Sequence, residues 1–187
     1  MALTLAVLVV DLATKWLSFK HVAGTPVLLT RENAADADTI PAHDEIVFVP
    51  KLLALKLTTN TGAVFGLGKG SRGVFVLVSV VAAAVIVRVF YRSRVGAYAL
   101  HLALGLIFAG AVGNLYDRLC FGAVRDMFWL FPEVTLPFGW AWPGGNDEVY
   151  PWLFNVADAA LVVGVILLMI VMWRHDKRQQ TALASRD

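Results

Sequence analysis

The sequence predicts an all-α membrane protein with four transmembrane helices, from its composition, its hydropathy and the distribution of its apolar residues. Of the 187 residues, 58% are hydrophobic and only 16% are charged, and the mean hydropathy is +0.68. Soluble domains carry about 25% charged and about 45–50% apolar residues. The apolar residues are concentrated in four runs, each close to the length of about 20 residues that a helix needs to cross a bilayer. Such a chain is an integral membrane protein.

The apolar runs divide one domain, residues 1–187, into four spans and two long connecting segments. The first run lacks the basic start and the small-residue cleavage site of a signal peptide, so we interpret it as a retained helix. The predicted spans are residues 2–19, 73–91, 96–113 and 156–173, and the long segments are residues 20–72 and 114–155.

Basic residues near the ends of the spans predict how the chain is oriented in the membrane. Lysine and arginine accumulate in cytoplasmic loops, and here they gather in the link between the second and third spans and in the tail after the fourth. Both termini are therefore predicted to be cytoplasmic, and the two long segments to face outward. The residues are Arg88, Arg92 and Arg94 in the link, and Arg174, Lys177 and Arg178 in the tail.

Several classes of function are excluded by the composition and by motifs that the sequence lacks. The formal charge of +2 is too small for nucleic-acid binding by phosphate neutralisation, and the hydrophobic content excludes a disordered chain. The single cysteine, Cys120, excludes a disulfide framework and a multi-cysteine zinc site. The zinc-hydrolase motif His-Glu-x-x-His is absent, and so is Gly-x-Ser-x-Gly, the motif of a serine nucleophile. The sequence therefore does not indicate either chemistry. We expect no metal, no cofactor and no nucleic-acid partner.

Two ionisable side chains occur inside the first predicted span, where each costs at least a few kcal/mol. Asp11 and Lys15 are four residues apart, so they lie on one face of the helix and are candidates for an ion pair. One interpretation is that the charges neutralise each other while the lysine snorkels toward the membrane surface. The other is that the pair belongs to a functional site.

Polar residues also mark the outward ends of the third and fourth spans. Asn114, Asp117 and Arg118 follow the third span, where a capping asparagine and a surface Asp–Arg pair would be ordinary. Asn155 and Asp158 begin the fourth span, where an N-cap asparagine and a first-turn aspartate suit the helix dipole. Each group, taken alone, is compatible with capping.

The location of these residues favours a shared site over independent caps. They map to the outward side, near the ends of the spans, whereas the cytoplasmic ends carry only arginine, lysine and a few polar residues. Independent caps have no reason to cluster on one side of the membrane. The outward set is Asn60, Asn114, Asp117, Arg118, Asp126, Asn155 and Asp158, with Asp11 in the outer half of the first span.

A pair of carboxyl groups is the catalytic chemistry that remains after these exclusions. Two close carboxylates cannot both ionise at low cost, so one keeps a proton and the two take opposite roles. The ionised group draws a proton from water, and the protonated group donates to a substrate carbonyl. This is the chemistry of an aspartic peptidase.

The outward segments contain a strand and two distinctive loops. Residues 53–58 alternate apolar and polar side chains, which predicts a strand that ends in a turn around residues 60–62. Residues 31–45 are acidic, and we interpret them as a solvated loop. The loop 131–153 is rich in proline and tryptophan, which predicts contact with the membrane surface. The side chains predicted to lie in the headgroup layer are Trp140, Trp142 and Trp152.

Four sequence blocks occur in a fixed order along the spans. The blocks are Asp11-x-x-Thr14-Lys15, Asn60-x-Gly62-Ala63-x-Phe65-Gly66, Gly113-Asn114-x-x-Asp117-Arg118…Gly122-x-Val124-x-Asp126, and Phe154-Asn155-x-Ala157-Asp158. Together they cover nearly the whole chain, and they resemble the motifs of the lipoprotein signal peptidases (signal peptidase II). Each block alone is weak, but four of them in the family's order are a specific signal.

The resemblance implies an aspartic peptidase of the bacterial inner membrane that needs no cofactor. Such an enzyme removes the signal peptide from a prolipoprotein and cuts before a cysteine that carries diacylglyceryl. The implied fold is four helices with a small extracytoplasmic β-cradle. We expect a monomer whose partners are membrane lipid and the lipid-modified prolipoprotein.

The resemblance also implies roles for individual residues, carried over by position. The implied catalytic pair is Asp126 and Asp158. The implied substrate-binding residues are Asn60, Gly62, Asn114, Arg118 and Asn155, and the implied structural supports are Asp11, Lys15 and Asp117. The chain departs from the family in its long loops 31–45 and 131–153 and in the wide spacing of the two catalytic acids.

Two alternative functions use the same residues. A proton or ion carrier would use the acids as a relay, but it would need acids that continue toward the cytoplasmic side, which the third and fourth spans lack. A non-catalytic membrane scaffold would use the acids only as helix caps.

Overall fold

A computed structural model describes residues 2–62 and 72–184 of the chain. Within these ranges the chain forms four long helices, each long and apolar enough to cross a membrane, and one four-stranded sheet. The predicted fold class is thereby confirmed. The helices are α1 (Ala2–His21), α2 (Arg72–Arg92), α3 (Tyr98–Cys120) and α4 (Val156–Ala184), and the strands are β1 (Ile46–Val49), β2 (Leu53–Asn60), β3 (Val124–Leu130) and β4 (Leu153–Phe154). The motif residues Ala63, Phe65 and Gly66 lie outside the described residues.

Helix α3 is the centre of the bundle, because α1, α2 and α4 all pack against it. Its contact with α4 is the most extensive and depends on small residues. A Cβ atom on Gly164 would lie 3.0 Å from the carbonyl oxygen of Ala103 and 2.7 Å from Cγ1 of Ile107. Lipid provides no hydrophobic force between helices, so close packing of small residues stabilises such a pair instead.

Helix α3 continues to Cys120, beyond the end predicted at residue 113. The span was predicted to end at the polar residues from Asn114 onward, whereas the helix itself continues past them. Asn114 and Asp117 remain inside the helix because side chains from other elements pair with them. The helix ends before Gly122, whose φ of 83° is a conformation that glycine adopts without strain.

Helix α4 also exceeds its predicted end at residue 173, since it continues to Ala184. The added residues include Arg174, Lys177 and Arg178, which are good helix formers. The basic tail is therefore a helical extension of the fourth span.

The sheet has the strand order β1-β2-β3-β4, with antiparallel neighbours throughout. Strand β2 contains the predicted strand residues 53–58. A buried apolar cluster packs the sheet against the end of α1. One member of the cluster is Met127, which follows Asp126 on β3. The cluster consists of Phe19, Val22, Val27, Leu57 and Met127. Successive residues of a strand face opposite sides, so Met127 packs in the cluster while Asp126 faces the cavity described below.

The long acidic segment after α1 is folded on itself by turns. The Oδ1 atom of Asn33 accepts a hydrogen bond from the backbone N–H of Thr30 at 2.7 Å. The guanidinium group of Arg31 donates to the carbonyl oxygen of Leu119, which fastens the segment to the end of α3. Most of residues 31–45 are exposed, as a solvated loop requires.

Residues 131–152, between β3 and β4, form a long ordered loop outside the sheet. Thr135 and Glu148 form an antiparallel bridge at its base. Its tip exposes Phe138 by 90% and Trp140 by 66%. Large exposed aromatic side chains are typical of a membrane surface, and the location of this tip in the headgroup layer stays a prediction.

Candidate active site

A cavity of about 690 Å³ opens at the end of the helix bundle that carries the sheet. Strands β2 and β3 and the adjoining ends of α3 and α4 form its upper wall, and its deeper part lies between α2, α3 and α4. Several residues that were predicted to catalyse or to bind substrate line it. They are Asn60, Gly62, Asn114, Arg118, Asp126 and Asp158.

The first carboxyl group of the cavity belongs to Asp126, which β3 holds at its start. The residue is only 2% exposed. Asn155 Nδ2 donates to Asp126 Oδ1 at 2.6 Å, and the side chain of Asn60 lies near the same carboxyl group. Burial raises the pKa of Asp126 well above its ordinary value, and the charge of Asp158 raises the pKa further.

The second carboxyl group belongs to Asp158 in the first turn of α4. The backbone N–H of Asp158 donates to Asn155 Oδ1 at 3.0 Å, and the N–H of Asn155 donates to Asp158 Oδ2 at 3.2 Å. This reciprocal pair is a capping box, so the capping interpretation of these two residues is correct. Capping also fixes Asp158 against the cavity, and the two interpretations are compatible.

The side-chain amides of Asn114 and Asn155 connect the two carboxyl groups. Asn114 Nδ2 donates to Asp158 Oδ1 at 2.8 Å, and Asn155 Nδ2 reaches both Asp126 and, at 3.2 Å, Asn114 Oδ1. Because Asn114 Oδ1 accepts, its Nδ2 must face Asp158. The amides therefore hold both acids in one hydrogen-bonded chain.

Lys15 supports this chain from α1. Its Nζ atom lies 2.8 Å from Asp11 Oδ2, 3.3 Å from Asp117 Oδ2 and 3.1 Å from Asn114 Oδ1. The predicted Asp11–Lys15 ion pair is present, but the lysine does not snorkel, since its side chain is fully buried. Two further partners explain the difference, because Asp117 and Asn114 also satisfy the ammonium group inside the protein.

Asp117 pairs with Arg125 as well as with Lys15. The Nη2 atom of Arg125 lies 2.8 Å from Asp117 Oδ1, and the backbone N–H of Arg125 donates to Asp117 Oδ2 at 3.0 Å. Asp117 is fully buried, so the alternative interpretation as a surface Asp–Arg pair does not apply. Arg125 was not among the residues predicted from the sequence. Its position directly before an acid of a buried strand was the available signal.

Arg118 points toward the cavity instead. Its Nη2 atom donates to the carbonyl oxygen of Gly62 at 3.3 Å, and the guanidinium carbon lies 5.1 Å from the ring centre of Phe75 on α2. Gly62 N–H in turn donates to Asn60 Oδ1 at 3.0 Å, so the Nδ2 atom of Asn60 remains available to Asp126. Arginine and amide donors thus surround the acids.

Asp11 ties the start of α4 to α1. Its Oδ1 atom accepts the backbone N–H of Ala157 at 2.8 Å, which satisfies one of the free donors of the helix end. Gly113 leaves room for this carboxylate, because a Cβ atom at that position would lie 2.5 Å from Asp11 Oδ2. The three predicted support residues therefore belong to one buried network, which joins α1, α3 and α4.

Two of the aromatic residues in the cavity wall stand beside each other near the candidate acids, and neither was predicted as a site residue. Tyr150 and Trp152 come from the end of the long segment before β4. Trp152 was predicted to lie at the membrane surface, and no role was predicted for Tyr150. Their closeness in sequence to Asn155 was the available signal.

Residues 3–174 match a family model described as signal peptidase (SPase) II. This chain belongs to the signal peptidase II family. The resemblance noted from the four motif blocks is thereby confirmed, and signal peptidases are proteases. The matched residues include the whole sheet, all of α2 and α3, and most of α1 and α4.

Curated relatives of this signal peptidase II chain each carry the name lipoprotein signal peptidase. The chain is 34% identical over 137 residues to the protein from Desulfitobacterium hafniense strain Y51, covering 73% of this chain and 80% of the relative. It is 35% identical over 144 residues to that from Pseudomonas aeruginosa strain UCBPP-PA14, covering 75% and 78%. It is 34% identical over 168 residues to that from Symbiobacterium thermophilum, covering 90% of each.

Two solved structures, both described as bacterial membrane enzymes, share this signal peptidase II fold. One has a TM-score of 0.68 and 24% identity, covering 94% of this chain and 87% of the solved chain. The other has a TM-score of 0.63 and 25% identity, covering 90% and 88%. This likeness supports a multi-pass membrane protein.

Proposed function

We propose that this protein is a monomeric intramembrane aspartic endopeptidase that removes signal peptides from diacylglyceryl-modified prolipoproteins and cuts before the modified cysteine. The observation that carries the proposal is one cavity lined by two acids, Asp126 and Asp158, whose carboxyl groups are linked through the amides of Asn114 and Asn155. The names of the curated relatives support a lipoprotein precursor as the substrate.

The charges around the cavity support a pair of acids that shares one proton. Four acids face three cations in this network, so full ionisation would leave one buried negative charge without compensation, which is costly. The acids are Asp11, Asp117, Asp126 and Asp158, and the cations are Lys15, Arg118 and Arg125. One proton on the catalytic pair removes the imbalance.

We assign this proton to Asp126 in the resting enzyme. Burial and the neighbouring charge raise the pKa of Asp126 well above its ordinary value. Asp158 lies in the first turn of α4, where the helix dipole favours a negative charge, and it accepts donors from Asn114 and Asn155. Asp158 is then the base, and Asp126 is the acid.

The two acids can hydrolyse a peptide bond without another group. A water molecule attacks the scissile carbonyl carbon while one of its protons passes to Asp158, and the carbonyl oxygen takes the proton of Asp126. In the collapse of the tetrahedral intermediate, its hydroxyl returns a proton to Asp126 and Asp158 gives its proton to the leaving nitrogen. Both carboxyl groups recover their starting states.

The remaining cavity residues suit the two parts of a lipid-modified peptide, its polypeptide backbone and its hydrocarbon chains. Arg118 and Asn60 offer donors for substrate carbonyl groups near the acids. The deeper wall is largely apolar and would accommodate hydrocarbon. That wall includes Val78, Ala82, Ala111, Leu161 and Val162. We place the active site at the outer face of the bacterial inner membrane, with both termini in the cytoplasm.

Cleavage of a synthetic precursor tests the proposal. The precursor carries a diacylglyceryl-modified cysteine, and a second precursor carries the unmodified cysteine. We expect the wild-type protein to cut only the modified precursor, directly before the cysteine. Asp126→Asn and Asp158→Asn should each abolish cleavage, and the double variant should be no worse than either, since members of one catalytic unit are not additive.

The matched control is Asp176→Asn, which removes an exposed carboxylate from the far end of α4. It should cleave like the wild type. Near-wild-type turnover by either folded single variant would exclude the aspartic mechanism. Equal cleavage of the unmodified precursor would exclude the requirement for lipid.

A further inference from the structure

Tyr150 stands in the cavity wall at the end of the long segment between β3 and β4. Its ring is held by other aromatic rings, with centres 5.5 Å away in Trp152 and 6.3 Å away in Phe154, both edge to face. Trp152 is itself packed on Trp142 at 4.8 Å. Edge-to-face pairs stabilise a fixed ring orientation, so the stack fixes Tyr150 beside the catalytic acids.

The hydroxyl group of Tyr150 is available to a ligand. Within residues 2–62 and 72–184, no side chain or backbone group is hydrogen-bonded to it. Partial burial raises the pKa of Tyr150, and the charges of Asp158 and Asp126 raise the pKa further. The phenol therefore stays protonated at the pH of a cell and remains a donor.

The two acids do not need this donor. Asp126 already accepts a hydrogen bond from the amide of Asn155, and Asp158 accepts one from the amide of Asn114 and one from the backbone N–H of Asn155. A phenol O–H that faces this cavity is thus left for an acceptor on the substrate, and a peptide near the acids presents carbonyl oxygens.

We propose that Tyr150 is a substrate-contacting residue whose hydroxyl donates a hydrogen bond to a carbonyl oxygen of the precursor beside the scissile bond. The inference rests on the proposed function and adds to it a residue that comes from the long segment before β4. The contact is made when the substrate binds and persists during the reaction. It contributes to binding rather than to proton transfer.

Tyr150→Phe tests the contact, because it removes one oxygen and keeps the ring in the stack. Loss of one neutral hydrogen bond predicts an increase of KM by about 3- to 10-fold with little change in kcat. The dependence of kcat on pH should not change. Tyr98→Phe is the matched control, since Tyr98 is exposed at the far end of α3, and it should retain the wild-type KM.

A binding measurement separates this inference from the proposed function. The uncut modified precursor is titrated into Asp126→Asn and into Asp126→Asn/Tyr150→Phe, with thermal unfolding as a check of folding. We expect the second variant to bind about 3- to 10-fold more weakly. Equal KM for Tyr150→Phe and wild type, or equal Kd for the two inactive variants, would overturn the contact. Absence of cleavage by the wild type would overturn the proposed function, and the contact with it.

Discussion

At the scale of single residues, the surroundings of the two carboxyl groups differ. Asp126 lies on a strand, almost fully buried and next to a second acid. Asp158 lies at the start of a helix, where backbone and side-chain donors meet it. Two chemically identical groups therefore differ in how readily each carries a proton, which is the condition for acid and base roles in one site.

The raised pKa of Asp126 predicts how stability depends on pH. Between the ordinary and the raised pKa, the folded protein holds a proton that the unfolded chain releases, so the free energy of unfolding falls as pH rises through this window. Asp126→Asn cannot ionise. We therefore expect this variant to unfold at a higher temperature than the wild type at pH 7, and at about the same temperature below the ordinary pKa of about 4.

The measurement is thermal unfolding in detergent micelles across this pH range. Asp176→Asn, which changes an exposed carboxylate, should follow the wild-type curve at every pH. A wild-type curve that stays parallel to that of Asp126→Asn would contradict the assignment of the proton to Asp126.

At the scale of elements, the long segment 131–152 is more than a surface loop. It bridges on itself at Thr135 and Glu148, and Trp142 Nε1 donates to the carbonyl oxygen of Glu148 at 2.8 Å. The ring of Trp142 then packs on Trp152, which lines the cavity. The segment thereby supports one wall of the candidate active site.

This support predicts that Trp142→Ala raises KM for the modified precursor by about as much as the loss of the Tyr150 hydroxyl. Removal of the ring leaves Trp152 and Tyr150 less restrained, and each aromatic pair contributes about 0.5–1.5 kcal/mol. Steady-state kinetics in lipid-containing micelles provide the measurement.

Trp140→Ala is the control in the same segment. It removes an equally large side chain that packs on Phe138 at the exposed tip, with ring centres 6.2 Å apart. It should leave KM unchanged. An equal change in both variants would mean that the segment acts through membrane contact rather than through the stack.

At the scale of the whole molecule, one buried polar network joins the helices and the sheet. Lys15 on α1, Asp117 on α3 and Arg125 on β3 are paired in series, and Asp11 caps α4. Removal of one member of a buried ion pair typically costs about 3–5 kcal/mol. The same network that supports the acids therefore holds α1, α3, α4 and strand β3 together.

The orientation of the chain in the membrane is a prediction from its basic residues, and thiol labelling tests it. We expect position 93, between α2 and α3, to face the cytoplasm, and position 36, in the acidic loop, to face outward. Ser93→Cys and Asp36→Cys are made in a Cys120→Ser background, because Cys120 is exposed. A membrane-impermeant thiol reagent should label position 36 in intact cells and position 93 only after permeabilisation.

The permeabilised cells are the control for reactivity at both positions. Labelling of position 93 but not of position 36 in intact cells would invert the topology. It would also move the active site to the cytoplasmic face, against the proposed function.

The sequence by itself determined the number of helices and the strand before Asn60, because hydropathy and the alternation of side chains are properties of neighbouring residues. It also determined the family through four ordered blocks. Only the tertiary structure decided that Lys15 is buried, that α3 continues through Asn114 and that Tyr150 stands beside the acids. These features depend on pairs far apart in the chain, such as Lys15 and Asn114 at a separation of 99 residues. No local pattern records such a pair, since a polar residue within a helix is stable only when its distant partner is in place.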